Sequence, residues 1–284
     1  MTIKQLKATI EQADALKQIS VSYTEISSNR LKKIRILVEK NRGFLDELAA
    51  VYIIVKQIAK ERNALSPKNP KTVSILITSN YHFYGNVNQN VTSYFVDTMH
   101  AHATDQIVVG KTAVEWLQGI HYNLSYTFIP LKHDYPTSEE LDMLVSKIKG
   151  YTKILVFYSR MRTVMSQIPT YQDITQTSYL QTQPPQTQRK RLFVFEPELT
   201  KILDFFETQG LNLLLQQAFL ESELSRTASR LVSMDQAQTN ADKFINEHAM
   251  LLNQAKKSAA NTKLIETYTS ILLGEKAKDN IYGY

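Results

Sequence analysis

Residues 211–273 read LNLLLQQAFLESELSRTASRLVSMDQAQTNADKFINEHAMLLNQAKKSAANTKLIETYTSILL, and neither Gly nor Pro occurs between Gly210 and Gly274. Apolar and small residues recur in alternating steps of three and four: Ala228, Leu231, Met234, Ala237, Ala241, Phe244, His248, Leu251, Ala255, Ala259, Thr262, Ile265, Tyr268 and Leu272. That spacing predicts a long helix with a coiled-coil seam, and Gly274 is its expected C-cap. A helix of about 60 residues is about 90 Å long. No single domain of this chain could bury it along its length, so the seam requires a partner helix.

The partner lies at the other end of the chain. From Ile3 to about Arg62 there is no Pro, and Gly43 is the only Gly. Ile3, Leu6, Ile10, Ala13, Leu16, Ile19, Tyr23, Ile26, Leu31, Ile34 and Val38 repeat the same steps, followed by Leu45, Leu48, Tyr52, Val55 and Ile58. One narrow apolar stripe on an otherwise polar helix results. Ser66-Pro67-Lys68-Asn69-Pro70 ends it, because two prolines cannot continue the hydrogen-bond ladder.

Between the two helices the pattern changes. Val73–Thr78, Tyr151–Tyr158 and Arg191–Phe195 are short runs rich in β-branched and aromatic residues, the composition of strands. Helical stretches separate them near 87–102 and from Ser138 to Lys149, where Ser138 before Glu139-Glu140-Leu141 suits a helix start. Gln181 to Arg191, with Pro184-Pro185, reads as a polar loop. The expected class is α/β: a long antiparallel coiled coil of N- and C-terminal helices with a small Rossmann-like α/β domain inserted. The expected boundaries are 1–65 for the first helix, 66–199 for the α/β domain and 200–284 for the second helix.

Composition narrows the functional classes. With no Cys among 284 residues there are no disulfides, thiolate nucleophiles or Cys-type zinc sites. The net charge of +6 is compatible with nucleic acid, an anionic membrane surface or an acidic protein partner. The longest apolar run, Leu48 to Val55, is too short to span a bilayer, and the opening residues lack the apolar core of a signal peptide, so membrane association is expected only through partners. Eight Gly and eight Pro are few for this length and favour long helices.

Local sequence then resembles one family. The stretch from Gln217, QAFLESELSRTASRLVSMDQAQTNADKF, is similar to the C-terminal signature of F-type ATP synthase gamma subunits, Ser-Glu-x-x-x-Arg-Met-x-Ala-Met-x-x-Ala-Thr-x-Asn-Ala. Ser225, Arg230, Met234, Ala237, Asn240 and Ala241 fall on it, and Asn253 follows where the family has the Asn of Asn-Lys-x-Arg-Gln. ILITSNYHFYGNVNQN resembles the family's Ser-Asp-Arg-Gly-Leu-Cys-Gly-x-Leu-Asn through Ser79, Gly85 and Asn88. Phe195-Glu196-Pro197 matches its Phe-Glu-Pro, and Leu6-Lys7, Ile10, Ile19-Ser20 and Arg30-Leu31 match its opening helix. The matches are collinear over nearly the whole chain. The departures are Tyr23 for a Met, Asn80-Tyr81 for Asp-Arg, Arg226 for a Glu, Lys256-Lys257 for Arg-Gln and Lys263 for a Glu. They read as a divergent gamma chain, of the kind a modified rotary ATPase would carry.

The resemblance implies a central rotor shaft that performs no chemistry. It turns inside a hexamer of alpha and beta subunits, meets epsilon and the membrane c-ring at its foot, and works without cofactor, metal, nucleic acid or membrane insertion. It also implies a peripheral position on the cytoplasmic side of a bacterial cell membrane. By the same resemblance, Tyr23, Arg30, Arg230, Met234, Asn240, Asn253, Lys256 and Lys257 are the expected hexamer contacts. Lys32, Lys33 and Arg35 are further cations for acidic loops of beta. Ile281-Tyr282-Gly283-Tyr284 would seat near an apolar collar. Helix periodicity alone also accommodates a non-rotary coiled-coil adaptor, or a gamma-like chain of a specialised ATPase.

Other signals do not develop into sites. Gly110-Lys111-Thr112 resembles the end of a phosphate loop, yet Asp105 stands where that pattern needs its first Gly. His100 and His102 with Asp105 alternate around a helix and lack a fourth ligand. His248 falls in the seam, and no nucleophile motif accompanies the Ser and His residues. Arg189-Lys190-Arg191 is too short a basic cluster to make a nucleic-acid surface.

Overall fold

The structure, a computed structural model, describes residues 2–61, 69–99, 104–175 and 198–279. In chain order the elements are α1 (Ile3–Glu61), β1 (Asn69–Ile77), α2 (Val87–Met99), β2 (Asp105–Val109), α3 (Lys111–Gly119), β3 (Thr127–Ile129), α4 (Ser138–Ile148), β4 (Tyr151–Thr163), β5 (Ser166–Asp173) and α5 (Leu199–Asp279). They form two compact units, residues 1–24 with 234–284 and residues 25–233. Residues 66–68 of the expected break, His100, His102, the 181–191 loop, the 191–195 strand, Phe195-Glu196-Pro197 and residues 281–284 lie outside the described residues.

In the 25–233 unit the strand order is β3-β2-β1-β4-β5, parallel except for β5, which runs antiparallel to β4. Alternation along the strands divides the core into two layers. Ile75, Ile77, Ile107, Val109, Ile154, Val156 and Tyr158 face Leu141, Leu144 and Ile148 of α4 and Leu211, Leu215, Ala218 and Phe219 of α5. Leu76, Val108, Leu155 and Phe157 face Val91, Phe95 and Met99 of α2 and Ala113 and Leu117 of α3. Helices on both faces of a mostly parallel sheet make a doubly covered layer. The α5 segment 211–219 therefore belongs to the sheet's core, a role its seam periodicity does not express.

Local chemistry starts the helices. Thr2 and Gln5 form a reciprocal cap on α1: the Thr2 N–H donates to Gln5 Oε1 (2.8 Å) and the Gln5 N–H to Thr2 Oγ1 (3.2 Å). At α4 the capping box is Thr137 with Glu140, so Ser138 is the first helical residue and not the cap. Gly274 is no C-cap either, because α5 continues through it to Asp279.

Within residues 25–233, α1 and α5 run antiparallel. Arg30 pairs with Glu223, Asn41 Nδ2 donates to Gln217 Oε1 (2.8 Å), and Ile34 and Val38 pack on Leu220 and Leu224. Tyr52, Val55 and Leu203 form a further apolar cluster. Within the other unit Lys17 Nζ lies 2.6 Å from Asp242 Oδ1, again between antiparallel helices.

The buried seam of α1 differs from the expected stripe. Leu6, Ala13, Ser20, Ser27 and Ile34 recur every seven residues and are buried, whereas Leu16, Ile19 and Ile26 are exposed. A seven-residue register decides which side of the helix faces inward. Ser20 satisfies its hydroxyl by donating to the Leu16 carbonyl (3.0 Å). In α5 the expected seam members Leu251, Ile265, Tyr268 and Leu272 are likewise exposed.

Gly43 lies in mid-α1, and an added Cβ there would meet nothing within 4 Å. Gly43→Ala should stabilise the 25–233 unit by about 0.5–1 kcal/mol, through the lower backbone entropy of the unfolded chain. A urea midpoint no higher than that of the parent would contradict this.

Candidate functional site: the joint between the sheet loops and helix α5

The C-terminal ends of the parallel strands carry two loops, residues 78–86 after β1 and residues 130–137 after β3, and both meet α5 between Ser222 and Ser233. Asp134 is buried at the centre. Its Oδ1 accepts the Asn80 N–H (2.6 Å) and its Oδ2 accepts the Tyr84 hydroxyl (2.6 Å). Asn80 Nδ2 donates to the carbonyls of Leu131 (2.9 Å) and His133 (3.3 Å), tying one loop to the other.

Helix α5 supplies the cations. Arg226, only 1% exposed, donates from Nη1 to Ser222 Oγ (2.8 Å) and from Nη2 to the Asp134 carbonyl (3.3 Å). Arg230 lies over the Tyr84 ring, 3.9 Å from its centroid, and donates to the carbonyls of His82 (3.1 Å) and Phe83 (3.3 Å). The Arg226 guanidinium lies 5.9 Å from the centroid of the same ring, so Tyr84 meets two cations of one helix. Ser229 Oγ donates to the Tyr84 carbonyl (2.8 Å), and the Ser225 and Ser159 hydroxyls lie 2.7 Å apart. The turn closes at Gly85, whose φ of 56° favours glycine and whose added Cβ would come within 2.9–3.0 Å of the Ser233 and Ser229 hydroxyls.

The Gly110-Lys111-Thr112 segment serves the same loops. Gly110 (φ 102°) precedes α3; the Thr112 N–H and hydroxyl both donate to the Ser79 carbonyl, and the Lys111 N–H donates to Asn80 Oδ1. Donors that a phosphate loop would aim at a ligand are here spent on the protein's own backbone and side chains. Among the described residues no three His, Asp or Glu side chains gather as a metal would require. The joint is built to hold two loops on a helix.

Burial, then the negative charge of Asp134 and the hydrogen bond to it, push the Tyr84 phenol up to about 12, against the opposing fields of Arg230 and Arg226. The folded chain thus holds this proton more tightly than the unfolded chain, where the ordinary value is 10.0. The associated stability is complete below pH 10 and is lost as pH rises through about 12; two units correspond to on the order of 2–3 kcal/mol. Tyr84→Phe should remove this part of the alkaline loss. The check is to compare urea midpoints for parent and variant at about pH 9 and about pH 11.5; parallel losses in both would refute it.

The residues expected from sequence fall into two groups. Arg30, Arg230 and Met234 are engaged in the chain's own packing: Arg30 Nε donates to Glu223 (2.8 Å), Arg230 holds the 82–84 turn, and Met234 is buried. Tyr23 is half-buried, while Asn240, Asn253, Lys256 and Lys257 are exposed on α5. Lys32, Lys33 and Arg35 are exposed on α1. Sequence reasoning missed Asp134 and Tyr84, which lie in no matched motif position. Arg226 was visible only as a cation standing where the resembled family has a Glu.

A family model described as ATP synthase matches residues 2–271. The ATP synthase gamma chain of Geotalea daltonii is 25% identical over 287 residues, covering 93% of this chain and 96% of that one. The ATP synthase gamma chain of Staphylococcus saprophyticus is 21% identical over 281 residues, with the same two coverages of 93% and 96%. Among solved structures, a chain of the Euglena gracilis mitochondrial ATP synthase has a similar fold, with TM-score 0.66 and 15% identity, covering 97% of this chain and 95% of that one. A match from residue 2 to residue 271 makes this chain a member of the ATP synthase family, and the relatives it resembles along nearly its whole length are that family's gamma chains.

Proposed function

We propose that this chain is the central rotor shaft, the gamma-type subunit, of an F-type proton- or sodium-translocating ATP synthase or ATPase. It couples rotation to nucleotide-site changes in a surrounding alpha–beta hexamer and performs no chemistry itself. The observation that carries this reading is the exposed apolar face of the α5 end. Leu264, Ile265, Tyr268, Ile271 and Leu272 recur at helical spacing and are all exposed. A ladder of that length in water needs a sleeve of other chains. Residues 1–65 and 200–284 would form the shaft, with the 66–199 domain inserted.

The foot of the shaft meets epsilon and the c-ring, and the assembly sits peripherally on the cytoplasmic face of its membrane. Among the described residues no helix is long and apolar enough to cross a membrane. Coupling is differential binding: each rotor angle shifts a nucleotide site only as far as its contacts distinguish that site's states. The buried joint suits this task, since torque entering through the sheet domain must reach α5 without slip.

Co-expression with alpha and beta chains tests the reading. A complex with one copy per three beta, in which a bead fixed to this chain turns on ATP addition, is expected. Stable isolation apart from a fully assembled hexamer would instead indicate an adaptor. Within that complex the exposed Lys256 and Lys257 are proposed hexamer contacts. Replacing both with Ala should lower torque or ions moved per ATP by roughly twofold, and unchanged coupling would remove them from the interface.

A further inference from the structure

We infer that the recess beside Glu221 is a binding site for a phosphate-class oxyanion. It opens between α1, the β4–β5 hairpin and α5, with a volume of about 270 Å³. Glu221 is buried, and both of its oxygens are already served. Oε1 accepts from Arg42 Nη2 (3.0 Å) and Gln217 Nε2 (2.9 Å); Oε2 accepts from the Tyr158 hydroxyl (3.0 Å) and lies 3.6 Å from Arg160 Nε. Three hydrogen bonds and the ion pair with Arg160 already engage this carboxylate.

One negative charge therefore faces two guanidiniums. The other side chains lining the recess are uncharged, so it carries a surplus positive charge. Each guanidinium has five N–H donors, and the contacts to Glu221 engage Nη2 of Arg42 and Nε of Arg160. The two side chains are 54% and 57% exposed, so their remaining donors are open to a ligand arriving from solvent. Two like charges beside one carboxylate are relieved by a further anion. Planar forks from two directions suit the four oxygens of a tetrahedral oxyanion better than the two of a carboxylate. The inference does not depend on the shaft reading.

The test is calorimetric titration of the full chain with inorganic phosphate, in buffer free of sulfate, and in parallel with ADP. Saturable phosphate binding is expected, weakened about tenfold or more in Arg42→Met and in Arg160→Met. Arg160→Lys, which keeps the charge and loses the fork, should fall between parent and Arg160→Met, and it decides the matter if a Met variant melts early. Tighter binding of ADP in competition with phosphate would assign the site to the phosphate end of a nucleotide; phosphate binding without ADP binding would assign it to free phosphate. No saturable phosphate binding, or equal binding in parent and variants, overturns the proposal.

Discussion

Replacing Asp134 with Ala is expected to destabilise the 25–233 unit by about 3–5 kcal/mol, among the larger effects a single substitution can have. The carboxylate is 4% exposed and accepts two short bonds, from the Asn80 N–H and the Tyr84 hydroxyl. Without it the buried Tyr84 hydroxyl and the partly buried Asn80 N–H lose their acceptor, and Arg226, itself 1% exposed, loses the nearby negative charge. Asp134→Asn keeps the shape and one acceptor but removes the charge, so it should cost less, about 1–2 kcal/mol. Urea midpoints of the three proteins, with hydrogen exchange of the α5 amides near residues 222–233, report both the size and the place of the loss. If Asp134→Ala unfolds with the parent, Asp134 is not the centre of the joint.

A comparable loss, roughly 3 kcal/mol or more, is expected for Gly110→Ala. The φ of 102° at Gly110 lies outside the region that residues with a Cβ adopt readily. The added methyl would meet the Thr78 backbone, with its C at 2.6 Å and its O at 2.7 Å. Thr78 cannot withdraw, because both its N–H and its hydroxyl donate to the Val109 carbonyl at the paired strand ends. Relief would require parting β1 from β2, and it would disturb the Lys111 and Thr112 donors that hold Asn80 and Ser79. Gly85→Ala provides the contrast. There φ is 56° and the nearest atoms are the side-chain hydroxyls of Ser233 and Ser229, at 2.9 and 3.0 Å, so about 1–2 kcal/mol is expected. Chemical denaturation that ranked Gly110→Ala as the milder change would contradict the geometry.

The fold class was legible because it rests on periodicity, which is local. Steps of three and four from Ile3 and from Ala228 predict two long helices, and α1 and α5 are those helices. The runs 73–78 and 151–158 became β1 and β4, the strands buried on both faces. The shorter β2 and β3, the half-exposed β5 and the nine-residue α3 passed unread. Few residues, or weak alternation at a sheet edge, leave little pattern to detect. Of the joint, the signature residues Ser225 and Arg230 could be recognised, but Asp134 and Tyr84 could not. Their importance comes from meeting α5 more than 90 positions away, a meeting that no local spacing encodes.

By itself, then, the sequence determined that two long helices flank an α/β segment and that they need partners, since stripe and strand patterns depend only on neighbouring residues. Tertiary structure alone decided which side of each stripe is buried: Ser20 and Ser27 lie inward while Leu16, Ile19 and Ile26 lie outward. It alone turned part of α5, residues 211–219, into a wall of the sheet's core. It also decided what Arg226 does. A cation standing where the resembled family has an acid reads as mere divergence until the fold buries it beside Tyr84 and Asp134. There the cost of removing a charge from water makes its partners, and not its own identity, determine its role.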